Sequence, residues 1–301
     1  MRWPIAAFAV VLASALVVGL GDGASAQTVP ADPVDALRSQ MAGNGGVRFV
    51  KTAVDTLEDR SDVPSWMTKD KHKITFRGNG TVQFGGGKVT ATDVTSRNSH
   101  VGPDKPLRFV TFEGRSYMSG WLTRPLPAGK EWVLSEDDKT WPEMDIGRIR
   151  LADPATLRAV LATTTARRPG GVYDGTRTTL YEGKVTFGEL SRAYPGFRLI
   201  SDGKPTAKDL KIEVSWRLWI GEDQLVRRAW SSWTEPFLKV INEYVSTVTD
   251  VRLTGWGAAT RVLPPSDEQV VKASGPAPDF TVHTLRRMSE GLRSQDHPAF
   301  R

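Results

Sequence analysis

The sequence predicts a mainly β (α+β) protein built on a curved antiparallel sheet with a few short helices. Three observations predict it. Ile212, Val214, Trp216, Leu218 and Ile220 alternate without a break, the period-two pattern of a strand with one buried face. β-prone segments recur between glycine-rich breaks, and Gly78, Gly80, Gly85 to Gly87 and Gly114 sit where a curved sheet needs bends. Asp-Pro helix starts occur at Asp32-Pro33 and Asp153-Pro154, each followed by apolar residues at helical spacing.

The chain opens on a short basic start at Arg2, an apolar run from Ile5 to Leu20, a Gly21-Asp22-Gly23 break and Ala24-Ser25-Ala26. This pattern predicts a signal peptide over residues 1–26, cleaved near Ala26, and an extracytoplasmic mature protein. An uncleaved anchor is the rival reading. The 301 residues include no cysteine. For an exported chain this excludes a disulfide framework, thiol catalysis, Cys-ligated zinc and a lipidated N-terminal Cys. The formal charge is +6. Its lysines and arginines are scattered among acids, which argues against nucleic acid and allows transient contact with an anionic surface.

In order, Asp32 caps a helix with Val34, Leu37 and Met41 on one face, stopped by Gly43 to Gly46. Val47–Thr52 reads as a strand and 58–71 as a loop. Ile74 and Phe76, then Val82 and Phe84, form a hairpin about a Gly78-Asn79-Gly80 turn, and Lys88–Asp93 resumes with Val89 and Ala91 together. Leu107–Glu113 and Ser116–Met118 make a second hairpin about Gly114, and Glu131–Ser135 is a short strand. The second helix carries Leu157, Val160 and Leu161 and stops before Arg167-Arg168-Pro169-Gly170-Gly171. Thr178–Phe187 is a strand and 192–208 a loop. Lys211–Ile220 and Leu225–Trp233 pair, and Asn242–Thr254 follows, closed by a Gly255-Trp256-Gly257 turn. Val282, Leu285, Met288 and Leu292 suggest a short amphipathic helix near the end.

Chemical motifs are absent. Gly86-Gly87-Lys88 lacks the spacing and the following Ser or Thr of a phosphate loop, so a glycine-permitted bend explains it better. His72, His100, His283 and His297 share no helix-face metal spacing. Glu136-Asp137-Asp138 lacks the ligand pattern of a calcium loop. Asn79-Gly80-Thr81 fits a glycosylation sequon, although a turn explains the same residues. No Gly-x-Ser-x-Gly elbow occurs. No catalytic residue, metal site or cofactor is therefore expected. Trp216, Trp219, Trp230 and Trp233 crowd one hairpin, with Trp216 and Trp219 on opposite faces, which points either to packing or to a contact surface.

Seven segments, in order, resemble the lipoprotein-carrier superfamily with the LolA/LolB-like fold, closest to the actinobacterial LppX/LprG-type envelope branch. They are the opening helix Asp32 to Leu37, Phe112 to Met118, Gly129 to Val133, the helix Asp153 to Leu161, Tyr173 to Tyr181, Glu213 to Arg228, and Val251 to Pro265. The resemblance covers about residues 32–271. The lipidated Cys of that branch is absent, and 192–208 and 272–301 have no counterpart in it.

The resemblance implies a half-barrel with helices on its concave face and an apolar cavity between them. The domain expectation is a signal peptide at 1–26, a half-barrel at 27–271 and a C-terminal extension at 272–301. Parity then nominates Ile74, Phe76, Val82, Phe84, Val89, Val110, Phe112, Trp216, Leu218 and Val245 as cavity lining; a plain filled core is the competing explanation. The expected function is non-enzymatic binding or carriage of a hydrophobic or lipid-like small molecule at the bacterial cell envelope. A protein-interaction or envelope-sensing module on the same scaffold is the alternative, with an envelope protein as partner.

Overall fold

The computed structural model describes residues 32–59, 73–99, 102–123, 126–136, 147–199, 204–238 and 243–273. The expected signal peptide, residues 60–71 of the expected 58–71 loop, all four histidines and the segment of Val282 to Leu292 lie outside these residues, whereas 58 and 59 end a strand.

Asp32 accepts hydrogen bonds from the backbone N–H groups of Val34 and Asp35, and Pro33 occupies the first turn, so α1 runs over Pro33–Ala42. The strands that follow are β1 (Gly45–Asp59), β2 (Lys73–Gly85), β3 (Lys88–Asn98), β4 (Gly102–Phe112), β5 (Arg115–Gly120) and β6 (Trp132–Glu136). Asp153 caps α2 (Pro154–Ala162) in the same way. Then come β7 (Thr164–Tyr173), β8 (Thr176–Thr186), α3 (Phe187–Ala193), β9 (Glu213–Gly221), β10 (Val226–Leu238), β11 (Glu243–Ala259) and β12 (Val270–Lys272).

All twelve strands join one curved, unclosed sheet in the order β12-β6-β5-β4-β3-β2-β1-β11-β10-β9-β8-β7. Every pair is antiparallel except β12 with β6. The half-barrel with helices on its concave face, expected from the sequence, is the fold observed. α1, α2 and α3 lie in a row against β1, β2, β3 and β8. Beneath them a core joins Leu37, Met41, Leu157, Val160, Phe187 and Leu190 of the helices to Phe49, Val82, Phe84, Val185, Trp216, Leu218 and Leu253 of the inner face.

Three local expectations are corrected. Gly78-Asn79-Gly80 is not a turn: β2 passes straight through it, paired on both sides. Gly80 is glycine for another reason, since a Cβ there would meet the Phe49 ring at 2.8 Å. The hairpin turn is Gly86-Gly87, both at positive φ. The second helix does stop before Arg167, as expected, and Arg167 to Gly171 then lies inside β7, an edge strand that tolerates Pro169, with a register shift at the glycines.

Gly255-Trp256-Gly257 is a bulge within β11, not a turn. The register jumps from Arg48 opposite Thr254 to Gly46 opposite Ala258. Both glycines take positive φ, and the Trp256 indole stacks on Phe84 with its N–H donated to the Val226 carbonyl. Finally, α3 fills the stretch between the expected strand Thr178–Phe187 and the expected loop 192–208, taking the last residue of the one and the first two of the other. Thr186 and Glu189 form a reciprocal capping box that launches it.

A second apolar cluster lies on the outer face, where Ala91, Val110, Tyr117, Trp132 and Leu134 are covered by Val262 and Val270 of the chain leading into β12. That chain is pinned by the Val262 N–H to the Gln83 side chain (2.8 Å) and the Glu131 N–H to the Gln269 carbonyl (2.9 Å).

Trp216 sets the spacing between sheet and helices. Its indole N–H reaches Thr163 Oγ at the end of α2 (3.1 Å), across Gly183 of β8. A Cβ on Gly183 would lie 2.2 Å from the Thr163 carbonyl oxygen and 2.8 Å from the indole. Gly183→Val should therefore lower stability by about 3 kcal/mol, read as a shifted denaturant midpoint with an unchanged slope.

Candidate functional site

The strand registers assign each nominated lining residue to a face. Ile74, Phe76, Val82 and Phe84 share the inner face of β2, because Val82 lies opposite Val47 and Phe76 opposite Ala53. Trp216 and Leu218 reach that face through Ala229 and Ser231, which oppose Val251 and Thr249. Val245 opposes Glu235 on it, and Val89 opposes Phe84. Val110 and Phe112 do not join them. They oppose Asp93 and Ala91, which point outward, and they belong to the second cluster. Val82, Phe84, Val89, Trp216 and Leu218 thus pack under the helices, while Ile74, Phe76 and Val245 lie further along the same inner face, outside that cluster.

Beside Ile74 and Phe76 runs a polar strip that the apolar alternation did not reveal. Asp55 opposes both Ile74 and Thr247, and the Thr247 hydroxyl donates to its carboxylate at 2.8 Å. Next in line, Ser231 and Thr249 hydroxyls bond each other at 2.7 Å. Trp233 Nε1 donates to Glu235 Oε1 at 2.7 Å, and Glu235 is fully buried. Alternating Thr247 and Thr249 in β11 was the available signal, since they occupy inward positions between Val245 and Val251.

Arg148 closes the strip. Its Nε donates to Glu235 Oε1 at 2.9 Å, a second nitrogen also binds that oxygen, and Nη1 donates to the Arg198 carbonyl at 2.6 Å. The guanidinium lies over the Phe187, Phe197 and Trp233 rings, 5.6 to 5.9 Å from their centroids. Gly147, at φ 105°, lets the backbone pass close to Thr249 and Trp233, and Ile149 and Leu151 then plug into the helix-covered core.

Burial pushes the Asp55 carboxyl above its usual range. The Thr247 hydrogen bond and the charges of Lys51 and Arg148 oppose that shift, and the charge of Glu235 adds to it. The arrangement offers hydrogen-bonding groups beside an apolar wall. It holds no nucleophile paired with a base, and the described residues contain no group of three or more His, Cys, Asp or Glu placed to hold a metal.

Among solved structures, the chain is similar to LprF from Mycobacterium bovis, at 15% identity over 78% of this chain and 95% of that one, with a TM-score of 0.35. A DUF1329 family protein from Desulfovibrio piger matches at 12% identity, over 74% and 93% of the two chains, with a TM-score of 0.24. A lipovitellin structure, described by its lipid–protein interactions, matches at 8% identity over 75% of this chain and 27% of that one, with a TM-score of 0.26. No family model matches the chain. No curated protein matches it either. Among the described residues no helix is long and apolar enough to cross a membrane.

Two outcomes follow from the strip. Arg148→Met leaves Glu235 buried without its cation and should cost about 3–5 kcal/mol, most of which Arg148→Met/Glu235→Gln recovers in denaturant titrations. For Asp55 the folded protein binds its proton more tightly than the unfolded chain, so stability falls as pH rises from the ordinary aspartate value, about 3.9, through the raised one. Asp55→Asn should abolish that part of the decline, measured as unfolding free energy against pH.

Proposed function

We propose that the protein is a non-enzymatic carrier for a hydrophobic or amphiphilic, lipid-like ligand, working outside the cytoplasm at the cell envelope. The observation that carries this reading is the inner face. Ile74 lies opposite Asp55, with Thr247 on the next strand, and Phe76 and Thr249 flank Ala53, so an apolar wall and hydrogen-bonding groups share one face, the pairing an acyl chain with a polar end requires once it enters there. A carrier needs this pairing. Apolar area gives affinity at about 25 cal/mol per Å² removed from water, while the polar groups fix orientation. The export signal expected at residues 1–26 and the sequence resemblance to lipoprotein carriers support the same reading. The ligand would lie beyond the helices, along Ile74, Phe76 and Val245, because Arg148, Ile149 and Leu151 fill the face beneath them.

That filling favours a second reading, an interaction or envelope-sensing module with a solid core. Organic extraction of the purified protein followed by mass spectrometry separates the two: the carrier yields a co-purified lipid and takes up a fluorescent acyl probe, and the module does neither. Phe76→Asp should weaken probe binding by about tenfold to a hundredfold, as expected for losing one buried aromatic contact, without shifting the thermal midpoint by more than a few degrees. Retention of full probe affinity by Phe76→Asp overturns the inner-face assignment.

A further inference from the structure

The outer face carries a set of arginines that no carboxylate of the described residues pairs. Arg48 and Val50 of β1, Arg77 of β2, Arg97 of β3 and Arg252 of β11 all point away from the helices, as their registers with Thr81, Asn79, Thr52 and Val50 require. All four arginines are exposed. Strands about 4.8 Å apart with a rise of about 3.3 Å per residue gather them into a patch roughly 15 Å across.

Elsewhere on this face Asp250, Asp93 and Glu182 are already neutralised. Asp250 is gripped by Arg228, Asp93 by Arg108 at 2.6 and 2.9 Å, and Glu182 by Arg168 at 2.9 Å and Arg217 at 3.4 Å. Trp219 and Trp230 are each roofed by an arginine as well, Arg228 and Arg217. Among the described residues no carboxylate, Asp104 of β4 included, comes within ion-pair distance of Arg48, Arg77, Arg97 or Arg252.

Arg77 and Arg97 sit directly opposite each other across the β2–β3 ladder. Like charges in that position oppose strand pairing, so the pair costs stability rather than adding to it. Val50, amid the arginines, is 60% exposed, and Val248, at the margin of the patch opposite Val54, is 38% exposed. The segment that covers the outer cluster crosses at Gln83, six residues along β2 from Arg77 and two from the Thr81 that opposes Arg48, and all four arginines stay exposed beside it.

We propose that this outer patch docks the protein on an anionic phospholipid surface. Headgroup phosphates supply the missing counter-charges, guanidinium groups bind phosphate in a forked geometry, and Val50 and Val248 lose water against the interface. This goes beyond the proposed carrier function and uses the opposite face of the sheet.

The test is sedimentation of the full chain with vesicles of equal parts phosphatidylglycerol and phosphatidylcholine, against vesicles of phosphatidylcholine alone. The quantity read is the excess binding to the anionic vesicles. It should fall about fivefold for each arginine removed, so Arg77→Gln/Arg97→Gln loses roughly twenty-fivefold, and it should weaken as salt rises. Lys204→Gln/Lys208→Gln removes the same charge from exposed positions outside the strands and should leave the excess unchanged. Equal binding to both vesicle types, an equal loss in the lysine variant, or arginine-dependent binding to soluble polyglutamate but not to vesicles each overturns the proposal. Acyl-probe uptake in Arg77→Gln/Arg97→Gln should match that of the unaltered chain, which keeps a failure here separate from a failure of the carrier reading.

Discussion

The pairing of β1 with β11 holds the molecule together. It runs from Gly45 opposite Ala259 to Asp59 opposite Glu243 and joins β2–β6, made by the first half of the chain, to β7–β10, made by the second. Everything that depends on which way a side chain points follows from this one register. A slip of a single residue would send Phe49, Ala53 and Asp55 outward and bring Arg48 and Val50 into the core. The bulge at Gly255 to Gly257 sits at one end of the ladder and fixes it. Gly45 must lack a side chain there, since a Cβ would meet the Gly257 backbone at 2.9 Å.

The inner face is uneven in a way that bears on its use. Toward β8 and β9 it is packed by aromatic and aliphatic groups, whereas toward β1, β10 and β11 it carries hydroxyls, two carboxylates and an arginine. Buried polar groups of this kind add little net stability even when paired, because desolvation offsets most of the gain. A fold kept only for stability has little use for them.

The sequence made the fold class plain because alternation within a strand is a local property. Ile212 to Ile220, the two Asp-Pro helix starts and the Gly114 hairpin all appear in the structure as the residues suggested. Errors arose where a residue type serves two purposes. Asn79-Gly80 has turn chemistry, yet Gly80 is small to admit Phe49, and Pro169 breaks interior strands but fits an edge. Parity within β4 groups Val110 with Phe112, but only the register with β3 reveals that both face outward. The polar strip stayed hidden for the same reason: Asp55, Ser231 and Glu235 meet only when three strands are aligned.

An unclosed sheet leaves two margins where another strand could add. On β7 the margin is interrupted by Pro169 and a register shift at Gly171, and Arg167 and Arg168 project from it into water. On the other side the last strand is β12, only three residues long and ending in Lys272. Among the described residues neither margin presents a long, flat run of free amides, which lowers the tendency of this unclosed sheet to fibril-like stacking. The sheet can thus stay unclosed without offering either margin as a template for a further strand.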